Sequence, residues 1–132
     1  MENFTNLLEK VKQSYPNFTY KTGAKFAFRP PKTIIIGPYE PHSELVLLHE
    51  LGHAIINKNS FKTDVERLKI ESIAWEKAKS LCQEFNQEFD SDFAESELDS
   101  YRDWLHQKST CKKCGLTRFE TTDGKYHCPH CD

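Results

Sequence analysis

The sequence lacks the features that would place it in a membrane or outside the cell. No apolar run approaches the about 18 residues that a membrane-spanning helix needs. The first residues, MENFTNLLEKVKQ, contain no basic start followed by an apolar segment, so we do not expect a signal peptide. The net charge is only −2, which gives no whole-chain argument for binding to nucleic acid or to a membrane surface. No internal repeat or low-complexity segment is present.

Cysteine is scarce, and its spacing is more informative than its number. Four of the five cysteines form two CxxC pairs. This arrangement suits metal binding in a reducing compartment better than a secreted disulfide framework. We therefore predict a cytoplasmic protein without a membrane partner. A chain of 132 residues is long enough for one compact domain with a small appendage.

The patterns along the chain predict an α+β fold in which helices pack on a small three-stranded sheet. The strand candidates are short and bounded by glycine or proline, whereas longer apolar patterns repeat at helical spacing. Thr63 and Glu66 match the capping box S/T-x-x-E, which begins a helix. The predicted elements are a helix over 4–14, strands over 18–21, 25–28 and 33–37, a helix from near Pro41 or Ser43, and helices over about 64–89 and 91–106.

The character of the chain changes at Ser109. The sequence before it carries the helical and strand patterns, and the sequence after it is short, turn-rich and punctuated by cysteines. We therefore predict two domains, residues 1–108 and residues 109–132.

The segment LLHELGHAII, residues 47–56, carries two histidines and a glutamate inside an apolar run. Burying such groups is costly unless each finds a partner. On a helix, His49 and His53 lie one turn apart on the same face, where both can bind one zinc ion. Glu50 lies beside that face, where it can take a proton from a water molecule activated by the metal. This pattern is H-E-x-x-H, the signature of zinc peptidases.

A catalytic zinc needs a third protein ligand, and three glutamates of the following helix are candidates. Glu66 is expected to be occupied by the capping box, and Glu76 falls on a polar face. Glu71 falls on the apolar stripe that also holds Trp75 and Cys82, where a carboxylate needs a cation. We therefore predict Glu71 as the third ligand, with an ion pair at the helix surface as the alternative.

HELGH followed by ESIAW, residues 71–75, resembles the HExxH…E-x-x-A-N/W arrangement of ImmA/IrrE-type metallopeptidases. These are small bacterial and phage zincins, and the resemblance covers about residues 30–80. It implies a minimal zincin fold and a peptidase, which in some members cleaves a transcriptional repressor. The sequence departs from the pattern in having Trp75 where Asn is common and in lacking a helix-turn-helix segment. The site implied by position is His49, His53 and Glu71 as zinc ligands and Glu50 as general base.

The resemblance also implies how a substrate would be held and hydrolysed. Zinc would activate a water molecule and polarise the scissile carbonyl, while Glu50 would take the water proton and deliver it to the leaving amine. The strand TIIIG, residues 33–37, resembles the edge strand on which zincins hold an extended substrate. The candidates for stabilising the oxyanion, which the sequence does not rank, are Tyr39, His42, Tyr101 and His106.

The pairs CKKC, residues 111–114, and CPHC, residues 128–131, are separated by thirteen residues. Two such pairs at this spacing predict a zinc ribbon with a closed structural site, whose metal must supply the folding energy. Between them we predict a hairpin with Asp123-Gly124 as its type I′ turn. The predicted ligands of this second zinc are Cys111, Cys114, Cys128 and Cys131, which make the rivals His127 and His130 unnecessary.

The sequence says less about the role of the fifth cysteine and about what the ribbon binds. Cys82 is expected to be a small buried apolar residue. A weak nucleic-acid surface with stacking aromatics is possible on the ribbon. The residues that would form it are Lys112, Lys113, Arg118, Lys125, Phe119 and Tyr126.

Three functions remain open. The first is a zinc endopeptidase acting on a protein, for example a phage or mobile-element repressor. The second is a SprT-like protease acting on DNA-bound proteins, which also joins a zincin to a C-terminal ribbon. That family uses a third histidine soon after HExxH, but no histidine lies between His53 and His106 here. The third is a non-catalytic, zinc-stabilised binding module, against which the retained Glu50 argues.

Overall fold

The computed structural model describes residues 1–57 and 60–132. Within these ranges the protein is α+β, with four helices, a mixed three-stranded sheet and a two-stranded hairpin. None of the described helices combines the length and the apolar character that crossing a membrane requires. The helices are α1 (Glu2–Ser14), α2 (Ser43–Ile56), α3 (Asp64–Glu84) and α4 (Ser91–Ser109). The strands are β1 (Thr19–Thr22), β2 (Ala27–Arg29), β3 (Thr33–Ile36), β4 (Phe119–Glu120) and β5 (Tyr126–His127).

The chain forms two compact units, and α3 contributes to both of them. The first unit combines Met1–Asn59 with Ile73–Asp90, and the second combines Ser60–Ser72 with Ser91–Asp132. Helix α3 is continuous through the boundary between the two units. Independent folding of residues 1–108 and 109–132 stays a prediction.

The three-stranded sheet of the first unit has the order β1-β3-β2. Strand β3 pairs in parallel with β1 and antiparallel with β2, so it lies in the centre. The prediction that TIIIG forms an edge strand is therefore wrong. Ile34, Ile35 and Ile36 are all buried, and an uninterrupted apolar run of this kind is typical of a strand covered on both faces.

The core of the first unit forms where α2 lies against β2 and β3. Its apolar side chains come from α1, β3, α2 and the C-terminal part of α3, as the helical and strand patterns predict. The buried residues are Phe4, Leu7, Val11, Ile34, Ile35, Ile36, Leu45, Leu47, Leu48, Leu51, Ala54, Ala74, Trp75, Ala78, Leu81, Cys82 and Phe85.

Helix α3 begins at the predicted capping box but ends before the predicted residue 89. Its start is confirmed by the Glu66 backbone N–H, which donates to the Thr63 hydroxyl at 3.2 Å. Its end is at Glu84, because Asn86 adopts a left-handed φ of 54°. The Gln87 N–H then reaches back to the Cys82 carbonyl at 2.8 Å, which closes a Schellman motif.

The hairpin of the second unit differs from the predicted type I′ turn. That turn requires a positive φ at both Asp123 and Gly124, but only Gly124, at 82°, has one. The Gly124 N–H donates to the Thr121 carbonyl, and the Thr121 N–H donates to the Lys125 carbonyl, both at 2.9 Å. The result is a three-residue turn with glycine in the left-handed position, while the Asp123 carboxylate accepts the Lys125 N–H at 3.1 Å.

Candidate metal centres

Helix α2 holds the two histidines of HELGH in apolar surroundings. Its sequence is hydrophobic over most of its circumference, as expected of a helix buried on several sides. His49 is 9% exposed and His53 is 8% exposed. Their rings lie edge to face with centroids 4.7 Å apart, so both imidazoles occupy the same small volume. The fold therefore keeps two polar rings together where water has little access.

Gly52 allows α3 to approach α2 closely beside these rings. A Cβ added at Gly52 would lie 2.8 Å from the backbone carbonyl oxygen of Ala74, closer than two such atoms pack. The same Cβ would lie 3.4 Å from the Cβ of Lys77. A glycine at the centre of a helix costs up to about 1 kcal/mol relative to alanine. Here the glycine removes a steric barrier between two helices of the first unit.

Trp75 of α3 stacks face to face on the His49 ring. The ring centroids are 4.0 Å apart and the planes differ by 8°, while Trp75 is only 4% exposed. Sequence reasoning placed Trp75 on the apolar stripe but missed this contact. The spacing of Trp75 could have indicated this contact, because Trp75 follows Glu71 by one helical turn and so lies on the same side of α3.

Glu71 is the glutamate of α3 that the structure groups with the two histidines. His49, His53 and Glu71 each offer one ligand atom, and these atoms all lie within 4.8 Å of one another. We call these residues the His–Glu cluster. Glu66 instead bonds within the capping box, and Glu76 is exposed.

The His–Glu cluster fits a zinc ion in its donor types and approximate spacing. Two ligands at tetrahedral zinc lie about 3.4 Å apart, so small side-chain rotations would bring these atoms to the required separation. Three protein ligands leave one position open, which is the arrangement of a catalytic rather than a structural zinc. The cluster can hold a metal ion, and the choice of zinc stays a prediction.

Glu50 lies next to the cluster, as expected from its position in HExxH. One of its carboxylate oxygens, Oε1, is 3.6 Å from Nδ1 of His49. The Glu50 side chain is 15% exposed, so water can still reach it. The Glu50 carboxylate therefore lies beside the imidazole of His49.

Tyr101 is the oxyanion candidate that the structure brings to the His–Glu cluster. Its hydroxyl donates to Oε1 of Glu71 at 3.4 Å, a long hydrogen bond within the second unit. Burial, followed by the nearby charge of Glu71, raises the pKa of Tyr101, so the hydroxyl stays protonated and can donate. A phenol in this position can orient the Glu71 carboxylate or stabilise developing negative charge.

The other three oxyanion candidates have different surroundings. Tyr39 is 41% exposed and packs against the Phe4 ring. His42 precedes α2 and lies 3.0 Å from the carboxylate of Asp90. His106 is exposed on α4. These contacts give no geometric reason to prefer any of the three over Tyr101.

The four cysteines of the two CxxC pairs converge on one point, as predicted. Sγ of Cys111 lies 3.9 Å from Sγ of Cys131, and Sγ of Cys114 lies 3.5 Å from Sγ of Cys128. All four are free thiols. Sulfur ligands about 2.3 Å from a tetrahedral zinc lie about 3.8 Å apart, so the cluster fits that ion closely. We call these residues the cysteine cluster.

Backbone N–H groups favour the thiolate form of one member of the cysteine cluster. The N–H groups of Cys114 and Lys113 lower the pKa of Cys111 to about 6, whereas the hydrogen bond with Cys114 raises the pKa of Cys131. Sγ of Cys128 accepts the N–H groups of His130 at 3.4 Å and Cys131 at 3.3 Å. Cys82 lies apart in the first unit, where burial raises the pKa of its thiol to about 11. Its expected role as a buried apolar residue is confirmed by its 1% exposure.

The hairpin between the cysteine pairs caps the N-terminus of α3. The Asp64 backbone N–H donates to Oε1 of Glu120 at 2.7 Å. The Tyr126 hydroxyl donates to the Asp64 carboxylate at 2.7 Å, and Nζ of Lys108 lies 2.8 Å from the same oxygen. Sequence reasoning missed this network, because its members are up to 62 residues apart. We call Asp64, Lys108, Glu120 and Tyr126 the α3 clamp.

The residues suggested for nucleic-acid contact divide into two groups. Tyr126 belongs to the α3 clamp, and the Arg118 guanidinium lies over its ring, 5.2 Å from the centroid. Both are therefore engaged inside the second unit. The remaining four side chains are exposed, and they are Lys112, Lys113, Phe119 and Lys125.

Comparison with known proteins identifies no relative. No family model matches the chain, and no curated protein or solved structure is significantly similar to it.

Proposed function

We propose that this chain is a zinc-dependent endopeptidase that hydrolyses peptide bonds of a protein substrate. The observation that carries the proposal is the His–Glu cluster with Glu50 beside it. Two histidines and a glutamate supply three ligands for one metal ion, and a carboxylate outside the ligand set has the position of a general base. A purely structural site has no use for such a base.

Each residue of the site has a distinct part in the proposed reaction. Zinc would supply a Lewis acid that activates water and polarises the scissile carbonyl. Glu50 would accept the proton of the attacking water and deliver it to the leaving amine. Tyr101 would hold Glu71 in place through its hydroxyl, or donate to the oxyanion.

The substrate would be held as an extra strand on the sheet. Because β3 is central, the free edges of the sheet belong to β1 and β2. Of these, β2 lies against α2, the helix that carries His49 and His53. We therefore assign the substrate-binding edge to β2. A transcriptional repressor from a phage or mobile element is the substrate suggested by the resemblance to the ImmA/IrrE-type zincins.

The cysteine cluster would hold a second, structural zinc in a ribbon. The four sulfur atoms leave no open position for a substrate or water. With its metal bound, the ribbon would present Glu120 and Tyr126 to the start of α3, the helix that carries Glu71. The ribbon would thus support the catalytic site through that helix.

Replacement of Glu50 by glutamine tests the proposed activity. The zinc-loaded protein is incubated with a mixed peptide library, and the products are identified by mass spectrometry. We expect Glu50→Gln to abolish cleavage while the zinc content stays that of the wild type. Glu76→Gln, an exposed change on α3, is the matched control and should cleave normally.

Two results would contradict the peptidase proposal. One is a wild-type protein that is fully zinc-loaded but cleaves nothing in the library. The other is cleavage by Glu50→Gln at the wild-type rate, which would assign the activity to a contaminant or to other residues. Either would favour a non-catalytic, zinc-stabilised binding module.

A further inference from the structure

The His49 ring is constrained from two directions by neighbouring side chains. The Glu50 carboxylate lies 3.6 Å from its Nδ1 edge. The Trp75 indole covers one face, with 4.0 Å between centroids and planes within 8° of parallel. An imidazole turns most freely about the bond that joins it to Cβ, where the torsional wells are broad. A flat surface packed against its face restricts that rotation more than any contact at its edge.

Trp75 itself is held firmly enough to act as such a surface. It is 4% exposed and lies on the stripe of α3 that also buries Ala74 and Ala78. Trp75 lies one turn after Glu71 on α3. One face of this helix therefore carries a candidate metal ligand, Glu71, and also the side chain that packs on a second candidate ligand, His49. Burial on the apolar stripe needs only a large apolar side chain at position 75. It does not need an aromatic ring that lies parallel to the imidazole of His49.

We infer that Trp75 is a positioning residue that fixes the plane of the His49 ring for metal binding. This inference rests on the metal centre of the proposed function. A side chain held in its ligating orientation before the metal arrives loses less conformational entropy on binding, so affinity rises. Groups that orient metal ligands without touching the metal typically contribute about 10–100-fold to affinity. Trp75 would orient His49 by stacking on the face of its ring and not by a hydrogen bond.

The test compares two apolar replacements that differ in shape. Trp75→Phe keeps a flat aromatic face, whereas Trp75→Leu fills the core without one. Zinc affinity of the His–Glu cluster is measured by chelator competition in the full chain. Cobalt loading provides a second measurement, since thiolate charge-transfer absorption reports the cysteine cluster separately. Trp104→Phe and Trp104→Leu, at a residue of the second unit that is 37% exposed, are the matched controls.

We expect Trp75→Leu to weaken zinc binding at the His–Glu cluster by about 10–100-fold, with Trp75→Phe recovering most of the loss. The cysteine cluster should bind as in the wild type, and both Trp104 variants should be unchanged. Wild-type affinity in Trp75→Leu would overturn the inference, and so would equal losses in Trp75→Phe and Trp75→Leu. If the wild type itself binds no metal at His49, the proposed metal centre fails and the positioning role falls with it.

Tryptophan fluorescence gives a readout that a purely structural role would not move. The chain has two tryptophans, so Trp104→Phe leaves Trp75 as the only tryptophan, which is excited selectively at wavelengths where tyrosine does not absorb. Zinc binding to the stacked His49 ring should change the Trp75 emission, and His49→Ala should remove that change. If zinc binds at the His–Glu cluster and the Trp75 emission does not change, Trp75 does not pack on the His49 ring, and the inference is wrong.

Discussion

Some single residues of this protein combine burial with charge and have identifiable partners. Asp64 shows the principle away from the proposed active site. Its side chain is 11% exposed, and it accepts the Tyr126 hydroxyl and pairs with Lys108. Burial alone would raise the pKa of Asp64, but hydrogen bonds from Lys108 and Tyr126 outweigh it and hold the pKa below its ordinary value of 3.8.

The lowered pKa of Asp64 predicts a pH-dependent contribution to stability. A carboxyl group whose pKa is lower in the folded chain stabilises the fold above its unfolded pKa, and this stabilisation disappears as pH falls through the folded pKa. We expect Asp64→Asn to lower the free energy of unfolding by about 1–3 kcal/mol at pH 7, because it removes a charged partner of two donors. The difference from the wild type should shrink as the pH falls below about 4.

Urea unfolding of the zinc-loaded protein at pH 7 checks the stability difference. The comparison is then repeated at decreasing pH as far as zinc analysis shows both proteins still loaded, because acid protonates the metal ligands. Asp103→Asn, an exposed change on α4, is the control and should leave the stability nearly unchanged. Equal stability of Asp64→Asn and the wild type at pH 7 would contradict the role of the α3 clamp.

Residue spacing predicted the candidate ligands but not the residues that surround them. His49 and His53 lie one helical turn apart, and the two cysteines of each CxxC pair are close in sequence, so local geometry places the members of each pair together. Glu71 was distinguished from two other glutamates by the helical face on which it falls. Trp75 against His49, and Glu120 against Asp64, are contacts between distant segments. No local pattern contains such contacts, because they depend on how elements pack.

Among the secondary-structure elements, α2 carries His49, Glu50 and His53, and α3 adds two residues to the proposed site. The capping box and Glu120 satisfy donors at its N-terminus, and the Schellman motif satisfies carbonyls at its C-terminus. Between these ends it carries Glu71 and Trp75. Its position against α2 depends on the missing side chain at Gly52.

Replacement of Gly52 by alanine tests that close approach. Alanine should improve the intrinsic helix propensity by up to about 1 kcal/mol. The new methyl group would however meet the Ala74 carbonyl oxygen at 2.8 Å, a backbone atom that moves only with its helix. Overpacking of this kind costs about 1–3 kcal/mol, so we expect a net loss of stability and weaker metal binding at the His–Glu cluster.

Thermal unfolding and zinc competition are the two measurements for Gly52→Ala. Ser80→Ala, on the exposed face of α3, should change neither quantity appreciably. A Gly52→Ala protein that is more stable than the wild type and binds zinc normally would show that α2 and α3 have room for the methyl group.

The sequence predicted which elements exist more reliably than where they end or how they pair. Apolar patterns together with capping, glycine and proline signals identified the four helices and the strands of the three-stranded sheet in the described ranges. The end of α3 was missed because a left-handed asparagine stops the helix inside an apolar pattern. The central position of β3 in the sheet was not predicted, because strand order depends on pairing with strands elsewhere in the chain. The apolar run at residues 34–36 was nonetheless a sign of a central strand.

For the molecule as a whole, the proposed function requires two different metal sites on one short chain. The cysteine cluster offers four thiols and would form a closed site, whereas the His–Glu cluster offers three ligand atoms and would leave one position open. The α+β class and both clusters were predicted from the sequence. The division of the chain into its two compact units was not, because it depends on α3 contributing residues to both.

The zinc content per chain, measured by elemental analysis of the wild type and of Glu71→Ala, is the most direct test of the two proposed metal sites. Glu76→Ala, at an exposed glutamate of α3, is the control. We expect two zinc ions in the wild type and in Glu76→Ala, falling toward one in Glu71→Ala. A wild type with one zinc would contradict a metal at the His–Glu cluster. Two zinc ions in Glu71→Ala would contradict Glu71 as the third ligand.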